Sequence, residues 1–314
     1  MESELMIKPQ LGMFGLMKES LKTIKTNGKL MLPLLLFVLL FFSYLECTQI
    51  YLIEPTRTDL ASQLMQHPNL FQDFVINMHE AEYSGALNDI RKFLYVKLVI
   101  LTFSWMISLV FLVAIVSSSS QAYTTKVQNP SEMMMKIKQS WNKPLVTSFY
   151  IVLLTLGSIF VGIVSIGVVY ILAVGLWVYV LYGVVFLCSI VLWMYFTGLW
   201  VMSMVVSVLE EVGGVDAIAR GGELMKGGKV KALVVAVLFY VANGFVLSMR
   251  NAIISQNLEN WRRMVVFVVL SHAFLLVLKL FVFVVFTVLY HEQKESCDEK
   301  KAKSLYLPVV GGEV

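Results

Sequence analysis

Residues 145–209 read LVTSFYIVLLTLGSIFVGIVSIGVVYILAVGLWVYVLYGVVFLCSIVLWMYFTGLWVMSMVVSVL, sixty-five consecutive positions without Asp, Glu, Lys, Arg or His. A helix rises about 1.5 Å per residue and a bilayer's hydrocarbon core is about 30 Å thick, so one span takes roughly 20 apolar residues. The run is too long for a single crossing. It predicts a polytopic membrane protein, all-α because a helix satisfies its own backbone hydrogen bonds in lipid.

The flanking charges decide how often the run crosses. On one side the loop 121–144 carries Lys126, Lys136, Lys138 and Lys143; on the other, 210–231 carries Arg220, Lys226, Lys229 and Lys231. Basic loops stay cytosolic, so the crossings between them are even in number. Two long, tilted crossings fit, with a turn near Ala173–Trp177, where Gly175 breaks the pattern. Tyr170, Trp177, Tyr179 and Tyr182 are placed to form an interfacial belt there.

Extending this outward gives six spans: about 30–53, 93–116, 145–173, 178–209, 232–249 and 264–290. A cytosolic amphipathic segment, 1–29, precedes this six-span domain (30–290), and a polar cytosolic tail, 291–314, follows it. Seventeen of the twenty-five Lys and Arg residues then fall on the cytosolic side, with both termini. The first apolar stretch is of full span length and reads as a retained signal-anchor. The longest polar connection, 54–92, leans acidic and suits the outer side. No address signal chooses between endoplasmic reticulum and plasma membrane.

Composition agrees with this class. The chain is 58% hydrophobic and 15% charged, against about 25% charged in an ordinary globular domain. Its net charge of +4 is small, and no nucleic-acid partner is expected. Cys47, Cys188 and Cys297 are far apart and read as structural or free thiols.

Leu11–Thr26 has the pattern of an amphipathic helix, with Phe14, Met17, Leu21 and Ile24 on one face and Lys18, Lys22 and Lys25 elsewhere. Such a helix lies in the headgroup layer, where anionic lipid is its natural partner. Three boundaries share a layout of small or amide residue, Lys, then apolar run: Asn27-Gly28-Lys29, Asn142-Lys143-Pro144 and Gly227-Gly228-Lys229. They suggest three copies of an elbow-plus-hairpin unit, with interfacial amphipathic elbows on the cytosolic side. Gly157, Gly162, Gly167 and Gly175 are read as points of close helix approach.

Ionisable residues within spans are costly and each needs a reason. Glu46 and Lys97 lie at similar depth on consecutive spans and are expected to pair. Asn243, His272 and Lys279 are expected to form a polar seam between the last two spans, the feature a transport path would use. No nucleophile–base–oxyanion set, nucleotide loop or metal-ligand cluster is recognisable, so neither catalysis nor a cofactor is expected.

The stretch Val206–Gly214, followed by Ala217-Ile218-Ala219-Arg220-Gly221-Gly222-Glu223-Leu224-Met225-Lys226-Gly227, resembles a pattern of plant multi-pass membrane proteins of undefined function. It is similar, more distantly, to the membrane domain of bacterial glycerophosphodiester phosphodiesterases and to related six-span inner-membrane proteins. Ala217, Leu224 and Gly227 match, while Gly221 stands where that pattern has Ser. The resemblance implies a six-span bundle and assigns no activity. Glu210, Arg220 and Gly227 are expected to define this elbow structurally, with Glu210 pairing to Arg220. The expected function is a non-catalytic scaffold, adaptor or membrane-organising component with a possible membrane-protein partner. The alternative is a small-solute or lipid transporter or channel.

Overall fold

The computed structural model describes residues 11–66, 81–124, 141–172, 177–256 and 261–306. Every regular element among them is an α-helix: α1 (Met13–Gln66), α2 (Ala81–Tyr123), α3 (Asn142–Leu172), α4 (Trp177–Leu209), α5 (Val215–Gln256) and α6 (Trp261–Tyr306). Each contains a segment long and apolar enough to cross a membrane, six in all. The protein is an all-α polytopic membrane protein.

The helices outrun the apolar stretches. α1 continues beyond Ile53 to Gln66, α2 starts at Ala81 rather than Phe93, and α6 passes through Tyr290 to Tyr306. Once lipid and packing have started a helix, strong helix formers such as Glu, Gln and Lys extend it without a new nucleus. The polar segment after 290 is thus helical as far as Tyr306. α1 also runs unbroken through Asn27-Gly28, so the first elbow is not a separate helix. One interior glycine costs about 1 kcal/mol, and the Asn27 amide offsets this by donating to the Ser118 carbonyl of α2 at 2.7 Å.

The third elbow is distinct. Gly228 (φ −123°, ψ 21°) divides α5 into an elbow helix beginning at Val215 and the span beyond. Of the second expected elbow, in loop 121–144, residues 125–140 lie outside the described residues, as do 173–176 of the expected hairpin turn, Gly175 among them.

The chain forms two compact units. The first gathers the described parts of Met1–Pro33, Leu112–Phe245 and Val277–Val314; the second comprises Leu34–Phe111 and Val246–Leu276.

Within the first unit, α4 shows how excess helix length is used. Its 33 residues extend about 50 Å, more than the hydrocarbon core needs. Tyr179, Phe186, Leu187, Val191 and Leu192 are exposed, as lipid-facing residues are. Next comes an aromatic cluster: Trp193 packs edge-on to Trp200 at 5.6 Å, and Phe196 stacks on Trp200 at 5.9 Å. Aromatic rings of this kind mark the water boundary of a membrane. Beyond them Met202, Val205, Val206 and Val208 are fully buried in protein.

This core beyond the aromatic cluster is rich in small hydroxyl residues. Ser20, Ser117, Ser118, Ser119, Ser203, Ser207 and Thr287 are all buried. Several bond back to their own helix, Ser119 to the Ile115 carbonyl at 2.6 Å, Ser203 to Leu199 at 2.7 Å and Thr287 to Phe283 at 2.7 Å. A hydroxyl satisfied in this way adds little bulk and leaves no unpaired group, so helices approach closely. The N-terminal part of α1 joins this core through Leu16, Ser20 and Thr23, whereas Phe14 (89% exposed) and Leu21 (58%) point outward.

The glycines divide by position. A Cβ at Gly157, Gly162 or Gly167 would meet nothing within 4 Å, so these α3 glycines are not close-approach points. At Gly221 it would lie 2.7 Å from the Ser203 hydroxyl and 3.0 Å from the Ser203 backbone of α4. The tight crossing is at the elbow.

Candidate functional site

α4 ends where Glu210 N–H donates to the Val206 carbonyl at 2.8 Å. The chain then turns through Glu211 (φ 55°) and Gly214 (φ 70°), left-handed conformations that glycine adopts without strain. Thr147 of α3 holds the turn. Its hydroxyl donates to the Lys143 carbonyl at 3.0 Å and accepts from Gly214 N–H at 2.9 Å. Its remaining lone pair faces the Ser207 hydroxyl at 3.0 Å, which makes Ser207 the donor.

The elbow helix leads from this turn into a polar hub. Glu210 Oε1 accepts from the Tyr290 hydroxyl at 2.8 Å and lies 3.1 Å from Lys294 Nζ. Its Oε2 is 3.4 Å from Arg220 Nε, and Arg220 Nη1 reaches Glu223 at 3.0 Å. Lys294 Nζ also donates to the Tyr290 oxygen at 2.8 Å and sits 5.3 Å from the centre of its ring. The Glu210 side chain is only 15% exposed. Burial by itself would raise its pKa, but hydrogen bonds from Tyr290 and Lys294 and the charges of Lys294 and Arg220 outweigh it. The carboxyl is held below its ordinary value.

Five consecutive residues of α6 meet other helices at this level. Tyr290 and Lys294 take Glu210. His291 Nε2 lies 3.0 Å from the Ser120 hydroxyl, and its ring stacks on Tyr123 at 5.0 Å. Glu292 Oε1 accepts from Lys231 Nζ at 2.6 Å. Gln293 covers the kink, where a Cβ on Gly227 would collide with its Oε1 and one on Gly228 would lie 3.1 Å from Leu289. Consecutive helical side chains point about 100° apart, so five residues that all find partners mean a helix surrounded on every side. α6 is the axis of the elbow end. Glu292 Oε2 and Gln293 Nε2 are buried without a hydrogen-bond partner among the described residues.

Of the residues singled out in the sequence, Glu210 and Arg220 are brought together and Gly227 lies against Gln293. The expected polar seam does not fall within one unit. Asn243 and Lys279 are half-buried in the first unit, while His272 belongs to the second. There the His272 Nδ1 lies 2.9 Å from its own helix's Val268 carbonyl, and its ring stacks at 6.5 Å on Phe42.

Nor does Glu46 pair with Lys97 among the described residues. Its Oε1 takes Arg250 Nη1 at 3.1 Å, with both side chains under one-fifth exposed. Equal depth on neighbouring helices is not enough for pairing, since the side chains must also point toward each other. Guanidinium is moreover the better match for a partly buried carboxylate.

Tyr290–Lys294, Ser120, Tyr123 and Lys231 had no part in the sequence reading of the site. A Tyr-His-Glu-Gln-Lys run continuing a span in helical register was the available signal. The arrangement joins helices by neutralised charge. Among the described residues, no cluster of His, Cys, Asp or Glu is placed to hold a metal ion.

The family described as a domain of unknown function, DUF8558, matches residues 1–307. No curated protein and no solved structure matches the chain. The plant proteins and the phosphodiesterase membrane domain of the sequence resemblance are not among these findings.

Proposed function

The chain belongs to the DUF8558 family, whose function is unknown, and we propose that it acts without catalysis as a membrane scaffold or membrane-organising component. The observation that carries this reading is the use of charge at the elbow end. Glu210, Arg220, Lys231, Glu292 and Lys294 are all engaged with other side chains of the same unit. A scaffold needs such internal bracing to present a fixed surface. The outward face of α1 offers one, with Phe14, Lys18, Leu21 and Lys25 at helical spacing and all exposed. Alternating apolar and basic groups suit anionic headgroups or a membrane-protein partner.

In this proposal both termini face the cytosol, in the endoplasmic reticulum or plasma membrane. Glycosylation or protease tags at 70 and 255 then report the outer side, and tags at 130, 220 and 305 the cytosol. Chemical crosslinking followed by copurification tests the scaffold role. Enrichment of a defined partner or lipid over a control membrane protein supports it, and no enrichment from folded protein sinks it.

A second reading, solute or lipid transport, rests on Asn243 and Lys279, polar groups half-buried within apolar spans. Its test is flux through liposomes holding the intact protein or Lys279→Leu. Absence of flux from folded protein removes it.

A further inference from the structure

α4 and α5 touch at Gly198, where a Cβ would lie 3.1 Å from Met225 Cε and 3.6 Å from the Ala232 side chain. Beside this contact lies a groove of about 610 Å³, within the roughly 300–1,000 Å³ typical of ligand clefts. Leu187, Val191 and Tyr195 of α4 form one wall, Val230 and Leu233 of α5 the other, and Lys229 is the single charged residue lining it. The groove opens outward, because Leu187 (64% exposed), Val191 (62%) and Val230 (74%) all keep accessible surface.

Three observations converge on one kind of occupant. The lining is apolar over more than two helical turns of α4, which suits a hydrocarbon chain. Tyr195 adjoins Phe196, with ring centres 6.2 Å apart, in an aromatic cluster of the kind enriched at headgroup depth. Lys229 sits at the rim, exposed and without an ion pair among the described residues, and Lys226, one turn earlier, is exposed as well. Lys231, two residues on, is by contrast tied to Glu292. A strongly hydrated ammonium at that level is a point-charge partner for a phosphate.

We propose that this groove binds an anionic glycerophospholipid, one acyl chain lying along Leu187–Tyr195 and the phosphate at Lys229. A zwitterionic lipid carries its own cation and gains less from Lys229. The site rests on the membrane reading of the six apolar helices and stands whether or not the protein recruits partners.

Full-length protein in phosphatidylcholine nanodiscs, doped with an acyl-chain diazirine probe of either phosphatidylglycerol or phosphatidylcholine, tests this after irradiation and peptide mass spectrometry. Adducts are expected at Leu187–Tyr195 and Val230–Leu233, in excess for the phosphatidylglycerol probe. Lys229→Gln is expected to reduce that excess roughly fivefold, the equivalent of about 1 kcal/mol per basic side chain at a membrane surface. Lys229→Arg keeps it, and Val191→Trp, which fills the groove, lowers labelling by both probes. Equal labelling by the two probes irrespective of Lys229 overturns the anionic assignment. Crosslinks between two copies of the chain through this face, in place of lipid adducts, overturn the site. Retention in the nanodisc and thermal unfolding of each variant separately report membrane integration and folding.

Discussion

Tyr290 donates its hydroxyl hydrogen bond to Glu210 at 2.8 Å, across 80 positions of sequence. It ties the end of α4 to the middle of α6 and aligns the carboxylate for Lys294 and Arg220 as well. A hydrogen bond to a charged acceptor contributes about 1.5–3 kcal/mol, more than a neutral pair, because removing one partner strands the other. Tyr290→Phe is therefore expected to lower stability by about 2 kcal/mol. Glu210→Gln should cost a similar amount. Denaturation in mild detergent with a double-mutant cycle on the two positions checks this, and additive effects would show the bond to be energetically silent.

Acid should loosen the same hub. The Glu210 carboxyl has a folded pKa below its ordinary value of 4.5, so its contribution is complete above pH 4.5 and falls away as pH drops through the folded value. Thermal unfolding followed from neutral pH downward should show an acid-side loss of stability that is smaller in Glu210→Gln. Parallel curves for both proteins would mean that other groups govern the loss.

The elbow glycines make a sharper contrast. Gly227→Ala drives a methyl onto Gln293, and overpacking of this kind costs about 1–3 kcal/mol. Gln293→Ala in the same chain should recover most of the loss, because the obstacle is a side chain. Gly221→Ala should be rescued only in part by Ser203→Ala, which removes the hydroxyl 2.7 Å away but leaves the Ser203 backbone at 3.0 Å. Gly162→Ala, facing open space, should be neutral or stabilising by up to about 1 kcal/mol. Melting temperatures of the five variants order these effects.

In the second unit, Arg250→Met should destabilise by about 2 kcal/mol by leaving the largely buried Glu46 carboxylate without its guanidinium partner, and adding Glu46→Gln should restore part of it. Lys97→Met should change stability little. The reverse ranking, measured in the same unfolding assay, would place the Glu46 partner on α2.

The six spans were legible because crossing a bilayer imposes a local requirement, roughly 20 apolar residues in sequence, that needs no knowledge of neighbours. The third elbow was legible for a related reason, since Glu210, the Gly213-Gly214 turn and the Gly227-Gly228 kink act within a few residues of one another. Helix ends were harder to read. Residues 291–306 are polar enough to look like a tail, yet their propensity and their contacts keep them helical.

The hub belongs to another class of information. Which face of α6 meets which helix depends on rotation about the helix axis, and a 100° error exchanges a partner for a stranger. Hence Glu46 could be placed at the depth of Lys97 and still bind Arg250, 204 positions away. Composition and hydropathy made legible the six segments among the described residues that are long and apolar enough to cross a membrane, because lipid acts on each segment alone. The tertiary structure settled that Tyr290–Lys294 is the axis of the elbow end and that the α3 glycines face open space, because those outcomes arise from side chains meeting across helices.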